Sequence, residues 1–162
     1  MQVANSGGTG FDPRYLVAGL VAGMGYGMME MIIEAVIGQG LWAPLRFIAS
    51  VFTLGKDTDP SFSLIPVVVG LMGHMMNSVI FGIIYGLWVS RLTSGTVGLA
   101  VLGTVYAAAI FAVMWYVVLP LIDPAMLLVN GAGFLASHLL YGLLLGGGVA
   151  LVRQGRLRAQ AT

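Results

Sequence analysis

Residues 19–34 read GLVAGMGYGMMEMIIE, and how this stretch is interpreted decides the fold. Gly19, Gly23 and Gly27 recur every four residues in apolar sequence that closes on two carboxylates, Glu30 and Glu34. At ~100° per residue, counting from Gly19, Gly23 falls at about 40°, Gly27 at about 80°, Glu30 at about 20° and Glu34 at about 60°. All share one helix face. Small residues at this spacing let a second helix backbone approach closely, which is the usual packing device in lipid. A charged group at the centre of a membrane helix costs roughly 2.5–3.5 kcal/mol even on the mildest insertion scale. The glutamates are therefore expected to point into a helix bundle and away from lipid.

The rest of the chain agrees with a bilayer. Of 162 residues, 59% are hydrophobic and only 8% charged, against about 25% charged in soluble domains. Seven basic and six acidic residues leave a net charge of +1, so no basic field exists for nucleic acid, and no nucleic-acid partner is expected. The absence of cysteine excludes disulfides, thiolate metal sites and palmitoylation. The opening residues MQVANSGGTGFDPR lack the basic region of a signal peptide, and the apolar run that follows is too long for one, so the first helix is read as retained.

Four apolar runs, about 15–37, 64–89, 96–119 and 130–152, reach the length of about 20 residues that a helix needs to cross the hydrocarbon layer. Open strands would leave backbone groups unpaired there, so the fold class is all-α: a polytopic four-helix bundle forming one transmembrane domain over 1–162. An even number of spans puts both termini on one side, with Arg14, Arg91, Arg153, Arg156 and Arg158. The other side carries Arg46 and Lys56 among Asp57, Asp59 and Asp123. The positive-inside rule makes both termini cytoplasmic. The first loop contains LWAPLRFIASVF, with Pro44 at a plausible helix start and apolar residues at helical spacing, which predicts a short interfacial helix over about 43–53. Gly55 and the polar run after it should end that helix, and it serves as either a plain loop helix or a lid. Ser78, Phe81, Gly82 and Gly86 align with His138, Tyr141, Gly142 and Gly146 at an offset of about 60 residues, the pattern of a parallel internal repeat.

Polar residues inside the spans are the functional candidates. From Gly70 at ~100° per residue, His74 falls at about 40°, Asn77 at about −20°, Ser78 at about 80° and Tyr85 at about 60°, a single polar stripe on the second span. On the fourth span, Gly131, Leu135, His138 and Gly142 share a narrow face that turns His138 inward. Counted from the span ends at 1.5 Å per residue, Glu30, His74 and His138 differ in depth by only ~5 Å. Glu34 lies one turn nearer the exterior.

Three readings of this layer follow. In one, the Glu/His cluster fixes helix register in a small, non-catalytic subunit of a homo-oligomer or larger membrane complex. In another, Glu30, Glu34, His74 and His138 ligate a divalent metal ion, with Asn77, Ser78 and Tyr85 around them, or His74 and His138 hold haem b from opposite faces. In the third, Glu30, Glu34, His74 and Tyr85 form a proton relay or proton-linked transport path in an oligomer. The many methionines are packing residues. No nucleotide loop, Ser-His-Asp order or His-Glu-x-x-His motif is present, so the chain leans away from enzyme chemistry.

A histidine in the second span, the proline-ended third span VMWYVVLPLI and the last span SHLLYGLLLGG resemble a group of small bacterial inner-membrane proteins of uncharacterised function. The resemblance covers the second to fourth spans. It implies a four-helix fold in a bacterial inner membrane and supplies no activity.

Overall fold

The computed structural model describes residues 12–53, 59 and 61–160, and these are helical, with no strand among them. Helix α1 (Arg14–Val36) begins where the Asp12 side chain accepts from the Arg14 backbone N–H at 2.9 Å. It ends in a Schellman turn: Gln39 N–H donates to the Glu34 carbonyl at 2.9 Å, and Gly38 takes φ +92°, a conformation that suits glycine. Helix α2 (Ala43–Ser50) has Pro44 in its first turn, where the missing N–H costs nothing, and a 3-10 turn carries it on to Thr53. Its expected end at Gly55 lies outside the described residues.

Helix α3 (Leu64–Leu87) likewise has Pro66 in its first turn, and α4 (Thr96–Val113) returns antiparallel to it. The third span then passes through a π turn, Met114–Val118, into the short α5 (Leu119–Ile122). Pro120 explains the π turn. Proline has no N–H for the carbonyl four residues back, and its ring crowds that carbonyl, so the helix widens before it. Helix α6 (Gly131–Gln160) is capped by Asn130, whose Oδ1 accepts from Gly133 N–H at 2.8 Å.

Four helices, Arg14–Val36, Leu64–Leu92, Thr96–Ile122 and Gly131–Ala159, are long and apolar enough to cross a membrane. The last runs past the expected 152. Beyond that point Arg153 donates to the Ser90 and Thr93 carbonyls at 2.8 and 2.9 Å, and Arg156 pairs with Asp12 at 2.6 Å, so the extension has partners.

The packing inverts the soluble pattern. Small residues fill the contacts between helices, while Val17, Val21, Met24, Met28 and Leu121 point outward, as lipid contact requires. A Cβ on Gly19 would come within 2.8 Å of the Ser78 carbonyl, and one on Gly82 within 2.7 Å of Gly19 Cα, so α1 and α3 touch at the backbone. Gly103, Gly142 and Gly146 do the same for α4 and α6. Around the bundle the order is α3, α1, α6, α4. Helix α2 is embedded deeper than a surface helix: the Leu45 backbone rests on Gly70, and Leu45, Arg46, Phe47 and Ser50 are buried.

Helices α3 and α4 are joined toward the arginine-bearing end, where the Tyr85 hydroxyl donates to the Leu99 carbonyl and Tyr106 to that of Phe81 at 3.2 Å. Toward the α2 end a cavity separates them.

Candidate functional site

The cavity has a volume of about 320 Å³. Its walls come from all four long helices, and α2 roofs it with Pro44, Leu45 and Ile48. Most lining side chains are apolar. Most of the polar ones gather where α1, α3 and α6 converge, Glu30, His74, Asn77, Ser78, His138 and Tyr141, and Asp123 stands apart from them beyond α5.

Glu30 is 1% exposed, and Ser137 Oγ donates to its Oε2 at 2.6 Å. Its second oxygen, Oε1, is buried with no hydrogen-bond partner among the described residues. Buried polar atoms are nearly always paired, so this orphaned oxygen is unusual; Glu34 Oε2 is likewise buried without a partner among the described residues, but only Glu30 also lines the cavity. Glu34 is also buried, but its Oε1 accepts from the Asn130 backbone N–H at 2.6 Å, which ties α1 to the start of α6 outside the cavity.

Each of the two imidazoles is anchored to a backbone carbonyl through one ring nitrogen. His74 Nε2 lies 2.8 Å from the Gly23 carbonyl, and His138 Nδ1 lies 2.7 Å from that of Phe134. Since a carbonyl only accepts, each of these nitrogens carries the hydrogen. The opposite nitrogen of each neutral ring, Nδ1 of His74 and Nε2 of His138, is then an acceptor. Close approach at Gly27 makes room for His74: a Cβ there would come within 3.2 Å of Nε2.

Tyr26 stands beside both imidazoles, its ring centroid 5.0 Å from that of His74 and 4.8 Å from that of His138. Phe134 packs on His138 at 4.5 Å. Among the described residues no three His, Asp or Glu side chains are placed to share one metal ion.

The other sequence candidates fall into place around this core. Asn77 is exposed on the cavity's open flank. Ser78 donates to the His74 carbonyl at 2.9 Å, and its own carbonyl accepts from the Tyr141 hydroxyl at 2.7 Å, so it ties α3 to α6. Tyr85 is buried elsewhere, toward the arginine-bearing end, with its hydroxyl on Leu99. Sequence reading passed over Ser137, Tyr26, Phe134 and Tyr141. Two signals pointed to them: Tyr26 lies one turn before Glu30, and Phe134 and Tyr141 lie one turn to either side of His138, with Ser137 one turn from each of them.

At the far side of the roof, Ser50 Oγ lies 2.7 Å from the Phe47 carbonyl and 2.8 Å from Asp123 Oδ1. Burial pushes the Asp123 carboxyl above its ordinary value, against opposing hydrogen bonds from Ser50 and from the Met126 and Ala125 backbone. A hydroxyl has one hydrogen for two acceptors, and a protonated Asp123 removes the conflict by donating to Ser50.

Fold and site together define a class: a multi-pass helical membrane protein whose bundle surrounds a mostly apolar chamber, with a cluster of polar groups where α1, α3 and α6 meet. Comparison of the chain with protein-family models, curated proteins and solved structures gave no match.

Proposed function

We propose that the protein is a non-enzymatic binding protein of a bacterial inner membrane, with both termini cytoplasmic, and that it holds within the bilayer a ligand whose polar part donates hydrogen bonds. One observation carries this reading: Glu30, whose buried Oε1 has no partner among the described residues, lines a cavity together with His74 and His138. The two imidazole acceptors add to it, since the fixed N–H of each ring leaves the other nitrogen to receive a donor. The gathering of arginines at one end supports the orientation.

Metal or haem ligation by His74 and His138 is less favoured, because the Tyr26 ring packs against both imidazoles. A relay through Tyr85 is less favoured because that hydroxyl is already bonded to Leu99. Native mass spectrometry of the protein released from nanodiscs tests the proposal. The wild-type chain should carry an additional non-protein mass that Glu30→Leu loses. Absence of any such mass, or stoichiometric metal by elemental analysis instead, counts against it.

A further inference from the structure

Resting on that reading, we infer that the ligand is a membrane-dissolved amphiphile, a hydroxyl-bearing head on one long apolar tail, which enters sideways from the bilayer between α3 and α4.

The shape of the chamber gives the route. Tyr85, Tyr106 and the backbone carbonyls they hold join α3 to α4 toward the arginine-bearing end, and α2 covers the opposite end with Leu45 seated on Gly70. Between these closures the flank is lined by Met76 and Asn77 on α3 and by Ile110, Met114 and Val118 on the third span. Met76 is 58% exposed although it lies twelve residues into its helix, ~18 Å from the helix start and so near mid-bilayer. What borders such a flank is hydrocarbon. The π turn that Pro120 imposes widens the third span at this position.

The size gives the tail. At about 320 Å³ the chamber is near the lower end of the ~300–1,000 Å³ range of ligand pockets. It takes a head and its first carbons, and a longer chain leaves through the flank into lipid of matching polarity.

The lining chemistry gives the head. His74 Nδ1 and His138 Nε2 are acceptors beside the Glu30 carboxyl, and no Lys or Arg is among the described lining residues. An anionic head would meet the Glu30 carboxyl with no Lys or Arg among the described lining residues to offset it. An ammonium would have to be stripped of water, at a cost far above that of a hydroxyl. A hydroxyl supplies the missing hydrogen at the lowest desolvation penalty. The rings of Tyr26, Phe134 and Phe81 around the chamber accept either a flat phenolic head or a branched prenyl one.

Nanodisc-embedded protein incubated with four probes, and read by native mass spectrometry, separates the possibilities. Decylhydroquinone or farnesol should be retained at one per chain, the tighter of the two showing whether the head is phenolic or aliphatic. Hydroquinone, the same head without a tail, should bind more than about tenfold more weakly because it forfeits apolar transfer of the chain. Decylbenzoquinone, whose head only accepts, should also bind more weakly. Ile110→Trp or Met76→Trp, which fill the flank and leave the acceptors in place, should reduce retention of the tailed probes with the melting temperature unchanged. Equal binding of hydroquinone and decylhydroquinone, or full retention of tailed probes by both flank variants, overturns lateral entry while leaving a ligand in the chamber. Failure of every probe, with no endogenous mass on the wild-type chain, overturns the binding reading as well.

Discussion

Ser137 and Glu30 are joined across the bundle: the serine hydroxyl on α6 donates to Glu30 Oε2 on α1 at 2.6 Å, and both side chains are fully buried. The bond fixes the carboxyl group, whose other oxygen stays buried without a partner among the described residues. In Ser137→Ala Oε2 loses its partner and both oxygens of Glu30 are left unpaired, and the expected loss of stability is about 1–3 kcal/mol, the cost of an orphaned buried group. Adding Glu30→Leu to Ser137→Ala should return stability to near the wild-type value, because replacing both partners by apolar groups is close to neutral. Unfolding in mixed detergent micelles measures the cycle. Additive losses in the double variant would show that the two residues do not act as a pair.

The glycines divide into those a methyl group would break and those it would not. At Gly142 an added Cβ would lie within 2.7 Å of the Ala107 methyl and would collide with the Gly103 carbonyl. Gly142→Ala should therefore force α4 and α6 apart and cost about 1–3 kcal/mol, as overpacked interiors do. At Gly147 nothing lies within 4 Å. Gly147→Ala should leave stability unchanged or raise it by up to about 1 kcal/mol through helix propensity. Equal effects of the two substitutions in the same unfolding assay would contradict this backbone contact.

The four spans and the inward face of the glutamates were legible in sequence because both rest on period and composition: Gly19, Gly23, Glu30 and Glu34 had to share a face whatever they packed against. Which helix each residue met was not legible. Glu30 and Glu34 have the same residue type and nearly the same facing, yet one bonds Ser137 beside a cavity and the other caps α6 at Asn130. That difference depends on how α6 is rotated and raised against α1, which is set by backbone contacts that a helical wheel does not contain. Tyr85 shows the same limit. Its angle matched that of His74, but eleven residues of rise, ~16 Å, put it in another layer. The π turn was foreshadowed by Pro120, although a proline near a span end reads equally well as a simple stop.

Gly38 closes α1 with φ +92° and has open space around the position of a Cβ. Sterics with neighbours are therefore absent from the effect of Gly38→Ala, and what remains is the conformational cost of a left-handed L-residue, about 1–2 kcal/mol. Gly38→Asn should cost less, since asparagine tolerates this region. Thermal unfolding of the two variants checks the order. Alanine equal to asparagine would mean that the turn rearranges to relieve the strain.

The two loop carboxyls should give the ends of the bundle opposite responses to pH. Asp12 is held below its ordinary value of 3.8, first by the Arg14 side-chain hydrogen bond, then by the Arg14 backbone bond and the Arg156 charge, which together outweigh burial. Its contribution is present above 3.8 and is lost as pH falls through the lower folded value. Asp123 is shifted upward by burial, so its contribution is complete below 3.8 and is lost as pH rises through the higher folded value. Protonated Asp123 completes the chain to Ser50 and the Phe47 carbonyl, whereas the ionised form leaves one hydroxyl hydrogen between two acceptors. Hydrogen exchange over residues 43–53, corrected for intrinsic rates, should show protection of α2 falling as pH rises above the ordinary carboxylate range. Asp123→Asn should flatten that dependence. The start of α1 and the end of α6 should instead lose protection on acidification, and Asp12→Asn should abolish the change. If α2 gained protection with rising pH, Asp123 would not be the group that controls it.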